Sequence, residues 1–151
     1  MIPNTVLIAS QSFGGELDAT RAARAIGRGL RAANSELESD PCPLDGLPTP
    51  GRDLQGELRR SLDALDFDAR MRRSRAVVIA AERLDHETLL DGDAVFEIAT
   101  RARQAGVPCY AIAGRDGLDR FEARILDLQV VLEASDERGL VAAGRKLAGI
   151  L

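Results

Sequence analysis

The sequence predicts an α/β fold, a Rossmann-like three-layer sandwich with a mainly parallel sheet of about five strands. Three observations lead there. Several short runs are continuously apolar rather than alternating, as expected of strands covered on both faces. Stretches with Ala and Leu at helical spacing separate those runs. Aromatic residues make up only 3% of the chain and Trp is absent, so the core must be built from Ala, Leu, Ile and Val. At 151 residues, with 45% hydrophobic and 29% charged residues, residues 1–151 have the size and composition of a single globular domain.

Each element follows in order. Thr5 to Ala9 is a β-branched apolar run between Pro3-Asn4 and a Ser/Gly loop, and reads as a buried strand. Asp18 is a suitable N-cap for a helix whose apolar face is Ala22, Ala25, Ile26, Leu30 and Ala33, with Asn34 at its end. Glu36 to Pro43 reads as a polar edge strand. Leu44 to Gly51 is a loop by its Pro and Gly density. Leu54, Leu58, Leu62 and Leu65 form one face of a helix, which either continues through Phe67 to Arg73 or restarts near Asp66. Ala76 to Ala81 is a strand, Glu82 to Gly92 a polar loop, and Ala94 to Gln104 a helix ended by Gly106. Val107 to Ala113 is the next strand, followed by a turn at Gly114 to Gly117. A helix over Leu118 to Leu126, a strand over Gln129 to Leu132, and a helix from the Asp136 cap to Ile150 complete the chain.

The formal charge of −4 gives no electrostatic footprint for nucleic acid, and arginines are interleaved with acids. Lys146 is the only lysine. Cys42 and Cys109 do not make a disulfide framework, and a reducing, cytoplasmic setting is expected. No apolar run is long enough to span a membrane, and the start of the chain does not read as a signal peptide.

Right-handed crossovers put the C-terminal ends of parallel strands along one edge, where ligands bind in open α/β sheets. Three loops are expected there: Ser12-Phe13-Gly14-Gly15, Glu82-Arg83-Leu84-Asp85 and Gly114-Arg115-Asp116-Gly117. The first precedes a helix, so its backbone N–H groups and the helix dipole suit an anion. Glycines serve equally where a strand turns tightly into a helix. The loop lacks the lysine of a Walker A motif and does not fit G-x-G-x-x-G. The second loop offers Glu82 and Asp85 as bases or metal ligands and Arg83 as an anion clamp, against the ordinary reading of a solvated charged loop. Asp116 is an ordinary turn residue. His86 is the only histidine, which excludes a zinc site built on several imidazoles and a Ser-His-Asp triad not using it. No metal site is expected.

Together the three loops resemble those of the glycerate kinase family found widely in bacteria. Gln11-Ser12-Phe13-Gly14-Gly15-Glu16-Leu17-Asp18-Ala19 is similar to the family's D-S-F-K-G-S-L-S-A after an equivalent strand. Ala25-Ile26-Gly27-Arg28-Gly29-Leu30 is similar to A-I-A-R-G-L. Val78 to Asp93, with Glu82-Arg83-Leu84-Asp85 and Thr88-Leu89, resembles V-I-T-G-E-G-R-L-D-x-Q-T-L-x-G-K with one residue deleted. Gly106-Val107-Pro108 through Gly114 resembles G-V-P-V-I-A-L-A-G. The Arg83-Leu84-Asp85 match is the most specific of these.

The resemblance implies the nucleotide-fold half of a two-domain kinase. Family members insert a second α/β domain before the R-L-D strand, whereas only Pro50 to Arg75 bridge that gap here, enough for a helix or two. Gln11 and Gly14 stand where the family has Asp and Lys, Asp93 where it has another Lys, and its acidic D-G-G-E-G-T loop survives at best as Asp45-Gly46. Phosphoryl transfer depends on positioned cations facing the developing charge, and Arg83 or Arg115 replaces a lysine only in part. The resemblance therefore implies a degenerate, single-domain relative that is non-catalytic alone and binds a small anion, such as glycerate or phosphate, or a protein partner. Its ligand-binding residues are Ser12, Phe13, Gly14, Gly15, Glu82, Arg83, Gly114 and Arg115. The alternative is an active glycerate kinase completed by oligomerisation, with Asp85 as catalytic base and ATP and Mg²⁺ as its cofactors; a structural module with an empty pocket is the third reading. A homodimer is expected through the uncovered strand-end face near Leu44, Leu47 and the leucine-striped helix.

Overall fold

The structure is a computed structural model and describes residues 3–45, 47, 56–87 and 94–151. In chain order the elements are β1 (Thr5–Ser10), α1 (Ala19–Ala33), β2 (Glu38–Pro43), α2 (Glu57–Ala64), α3 (Phe67–Arg72), β3 (Ala76–Leu84), α4 (Ala94–Ala105), β4 (Cys109–Asp116), α5 (Arg120–Ile125), β5 (Leu128–Glu133) and α6 (Glu137–Ala148). The five strands form one all-parallel sheet in the order β2-β1-β3-β4-β5. Helices flank it, giving the expected three layers. The chain moves outward from β1 to β2, then returns past β1 to β3. The sheet's topological switch point therefore lies between β1 and β3, where the loops leaving the two strands diverge and open a crevice.

Local chemistry explains the element ends. Asp18 accepts a hydrogen bond from the Arg21 backbone N–H at 2.8 Å and starts α1, and the Asn34 N–H closes it on the Leu30 carbonyl. Asp119 and Glu122 form a reciprocal capping box at α5, and Asp136 caps α6 through the Gly139 N–H. The leucine helix does not run on: α2 stops at Leu65, Asp66 takes a left-handed φ of 56°, and α3 begins at Phe67. Leu54 and the loop expected beyond Leu47 lie outside the described residues.

The two faces of the sheet carry separate cores. On one, Val6, Ile8, Val78 and Ile112 pack against Ala22, Ile26 and Leu30 of α1 and Leu140 and Leu147 of α6. On the other, Leu7, Val77 and Ile79 pack against Leu58 and Leu62 of α2, Phe67 and Met71 of α3, and Ile98 of α4. This second core corrects the expected dimer face. Leu44, Leu58 and Leu62 are buried, and Leu47 and Leu65 pack against them, so these leucines fill the protein's own interior. None of the described helices is long and apolar enough to cross a membrane.

Candidate functional site

Two expected loops prove to be strand. β3 continues through Glu82-Arg83-Leu84 and β4 through Gly114-Arg115-Asp116, with Arg83 opposite Arg115 and Leu84 opposite Asp116 in register. The charged residues suggested an end to each strand, but pairing outlasts the apolar run because Leu84 is wholly buried and anchors the extension. Gly114 makes the approach possible. A Cβ there would lie 2.6 Å from the Glu82 carbonyl oxygen, inside any tolerable contact. Beyond Leu84 the Gly117 N–H donates back to the Leu84 carbonyl at 2.7 Å, tying the two strand ends together.

These extensions carry two arginines in register on adjacent strands, a pairing of like charges that costs energy unless an anion lies between or beside them. Arg83 holds the Asp85 carboxylate at 2.7 Å and reaches Glu87 at 3.6 Å. The Arg115 side chain is exposed and makes no hydrogen bond or ion pair among the described residues. Asp85 is also engaged, since its second oxygen accepts from the Glu87 N–H at 3.0 Å.

An open cleft of about 440 Å³ lies over the strand ends, lined by Phe13, Glu82, Arg83, Gly114, Arg115 and Ser135. Five of the eight expected ligand-binding residues therefore share one cleft. Ser12, Gly14 and Gly15 do not line it; from their loop only the largely buried Phe13 does. Asp85 lies in an adjoining groove of about 400 Å³ on the other side of Arg83 and Arg115, with Glu87 and Gly117. The glycine loop is also separated from the start of α1 by Glu16, Leu17 and the capping Asp18, which already satisfies a helix N–H. Lys146 lies on α6, beside Leu132 and Glu133 in a separate groove. Asp93 and Gly46 lie outside the described residues.

Sequence reading missed two members of this region. Ser135, between β5 and the α6 cap, closes the far wall of the cleft. It occupies a fourth strand-end loop, which the parallel-sheet expectation already placed at the same edge. The His86 Nδ1 meets Glu122 Oε2 at 2.6 Å, while the other Glu122 oxygen accepts from the Asp119 N–H at 3.0 Å. This pair joins the segment after β3 to α5, and no spacing in the sequence signals it.

Comparison with known proteins places the fold and the family. A solved structure of a putative pilus assembly-related protein from Burkholderia pseudomallei K96243 superposes with a TM-score of 0.54, covering 96% of this chain and 89% of that one at 16% sequence identity. At that identity the likeness concerns the fold. No curated protein matches the sequence significantly. The glycerate kinase family model matches residues 51–141, which takes in both arginine-bearing strands and leaves out β1 and its glycine loop. Spanning more than half of the 151 residues, that match makes the chain a member of the glycerate kinase family.

Proposed function

We propose that this chain is a degenerate, single-domain member of its family that does not transfer phosphoryl groups by itself and binds a small anion, such as phosphate or the carboxylate of glycerate, at the end of the β3–β4 ladder. One observation carries the reading: Arg83 and Arg115 stand abreast over a cleft, and Arg115 has no ion-pair partner among the described residues. An anion bridging the two relieves their mutual repulsion, and guanidinium forks suit planar or tetrahedral oxyanions. Phe13 and Ser135 supply an apolar wall and a hydroxyl, and Glu82 disfavours highly charged ligands.

The same residues do not fit a Mg²⁺-nucleotide. The chain's only lysine lies on α6 in a separate groove, so no ammonium group faces a transferring phosphoryl at the cleft. Arg83 is already shared between Asp85 and Glu87. No phosphoryl-transfer step is therefore assigned to this chain. Both thiols are free and buried, and burial pushes Cys109 up to about 12.

Thermal unfolding with inorganic phosphate, D-glycerate or ATP–Mg²⁺ tests the reading. A ligand at ten times its Kd stabilises the native state by about 1.4 kcal/mol. Phosphate or glycerate is expected to raise the melting temperature of the native protein and to have no effect on Arg115→Ala. Absence of any shift points to an empty pocket. Steady ADP release with glycerate, ATP and Mg²⁺, abolished in Asp85→Asn, would establish an active kinase instead.

A further inference from the structure

We infer that the anion held by Arg83 and Arg115 is the carboxylate of a small amino acid, whose ammonium group is taken by Glu82 in the same cleft. The inference rests on the anion reading above and adds the chemical class of the ligand to it.

Two opposite charges in the cleft lack partners. The Arg115 and Glu82 side chains are exposed, and neither makes a hydrogen bond or ion pair among the described residues. Both line the cleft of about 440 Å³ over the strand ends, yet they stand too far apart to pair with each other. The neighbouring acids are already engaged: Asp85 and Glu87 by Arg83, and Asp136 by the Gly139 N–H. Glu82 is a carboxylate left facing open space beside an arginine that it does not reach.

The cleft also has a direction. Arg83 and Arg115 line the adjoining groove as well, so they form the ridge between the two cavities and mark one end of the cleft. Phe13 and Ser135 are shared with a third cavity of about 250 Å³ and mark the other end. Glu82 belongs to neither boundary and lines the central cleft alone.

A ligand with a single charge leaves one of these groups idle. A hydroxy acid satisfies the arginines and is repelled by Glu82, and a polyphosphate multiplies that repulsion. A zwitterion answers both. Its planar carboxylate suits the guanidinium forks, and its ammonium donates to the Glu82 carboxylate. Phe13 offers apolar surface to the ligand's side chain, and the third cavity gives a longer one room. Selection of this kind turns on where an ammonium stands rather than on net charge.

Isothermal titration calorimetry at low ionic strength, where exposed charges are least screened, tests this with acids that differ only in hydroxyl against ammonium. The pairs are glycerate with serine and 3-phenyllactate with phenylalanine, each compared within the same hand. In at least one pair the amino acid is expected to bind about fivefold or more tighter than its hydroxy acid. Glu82→Gln, checked for fold by circular dichroism, should bring that pair to within about twofold. Arg115→Ala should weaken both members of it. No preference for the amino acid in any pair, or a preference that Glu82→Gln leaves intact, overturns the inference while binding of the hydroxy acids keeps the anion site. If neither inorganic phosphate nor any of these acids binds, the anion reading has itself failed and the zwitterion falls with it.

Discussion

The two faces of the sheet are built on opposite principles. Where α1 crosses α6, backbone meets backbone: a Cβ at Gly29 would overlap the Val141 carbonyl oxygen, and one at Gly144 the Ile26 carbonyl oxygen. The exposed margin of that crossing is clasped by Glu137, which accepts from Arg21 and Arg28 at 2.9 Å each. On the other face, α2, α3 and α4 stand off behind Leu62, Phe67, Met71 and Ile98. There a largely buried Arg101 gathers Asp63, Asp68 and Glu97 at 3.0 to 3.1 Å. One face is fixed by the absence of side chains and the other by their bulk. The first should refuse any added atom, while the second should accept exchanges of similar volume.

The sharpest way to break this contrast is a pair of variants. Gly29→Ala adds one methyl group and is expected to cost about 3 kcal/mol, whereas Leu62→Met on the other face should cost less than about 1.5 kcal/mol. Chemical denaturation of both decides it, and a fully stable Gly29→Ala would remove the distinction. A smaller loss, about 2 kcal/mol, is expected for Arg101→Met, because Glu97 keeps its burial and loses its charged donor. Little of that loss should be screened by added salt. The smallest effect is acidic. The Arg28 hydrogen bond, then the Arg21 charge, holds the Glu137 carboxyl below its ordinary value. Its contribution is therefore present above the ordinary carboxylate range and lost as pH falls through the lowered value. Wild type should lose slightly more stability than Glu137→Gln on acidification, seen as converging unfolding midpoints.

The sheet was legible because β1, β3 and β4 hold uninterrupted apolar runs, and two caps because Asp18 and Asp136 are acids at helix starts, whereas Asp119, the third cap, falls inside the helix expected over Leu118 to Leu126. The extent of β3 and β4 was not. Glu82, Arg83, Arg115 and Asp116 look like loop chemistry, and only pairing across the strands reveals that their backbone is ladder. The site was half legible for the same reason. Arg83 and Arg115 stood out as cations near strand ends, but their register depends on two segments more than thirty residues apart. The glycine loop pointed elsewhere, since tight turning and ligand cradling call for the same residue. The leucine stripe gave helical spacing correctly and exposure wrongly, because periodicity locates an apolar face without saying what covers it.

The Glu82–Gly114 contact acts as a gauge. With nothing but hydrogen on that α-carbon, the guanidinium stems are set apart by the pitch of the sheet, roughly 4.8 Å, rather than by loop flexibility. The anion proposed to bridge both arginines meets a jaw whose backbone base has a fixed width, so selection among small acids is expected to follow molecular size more closely than total charge. Widening the jaw by one methyl group, as in Gly114→Ala, would retune that preference while both cations stay in place.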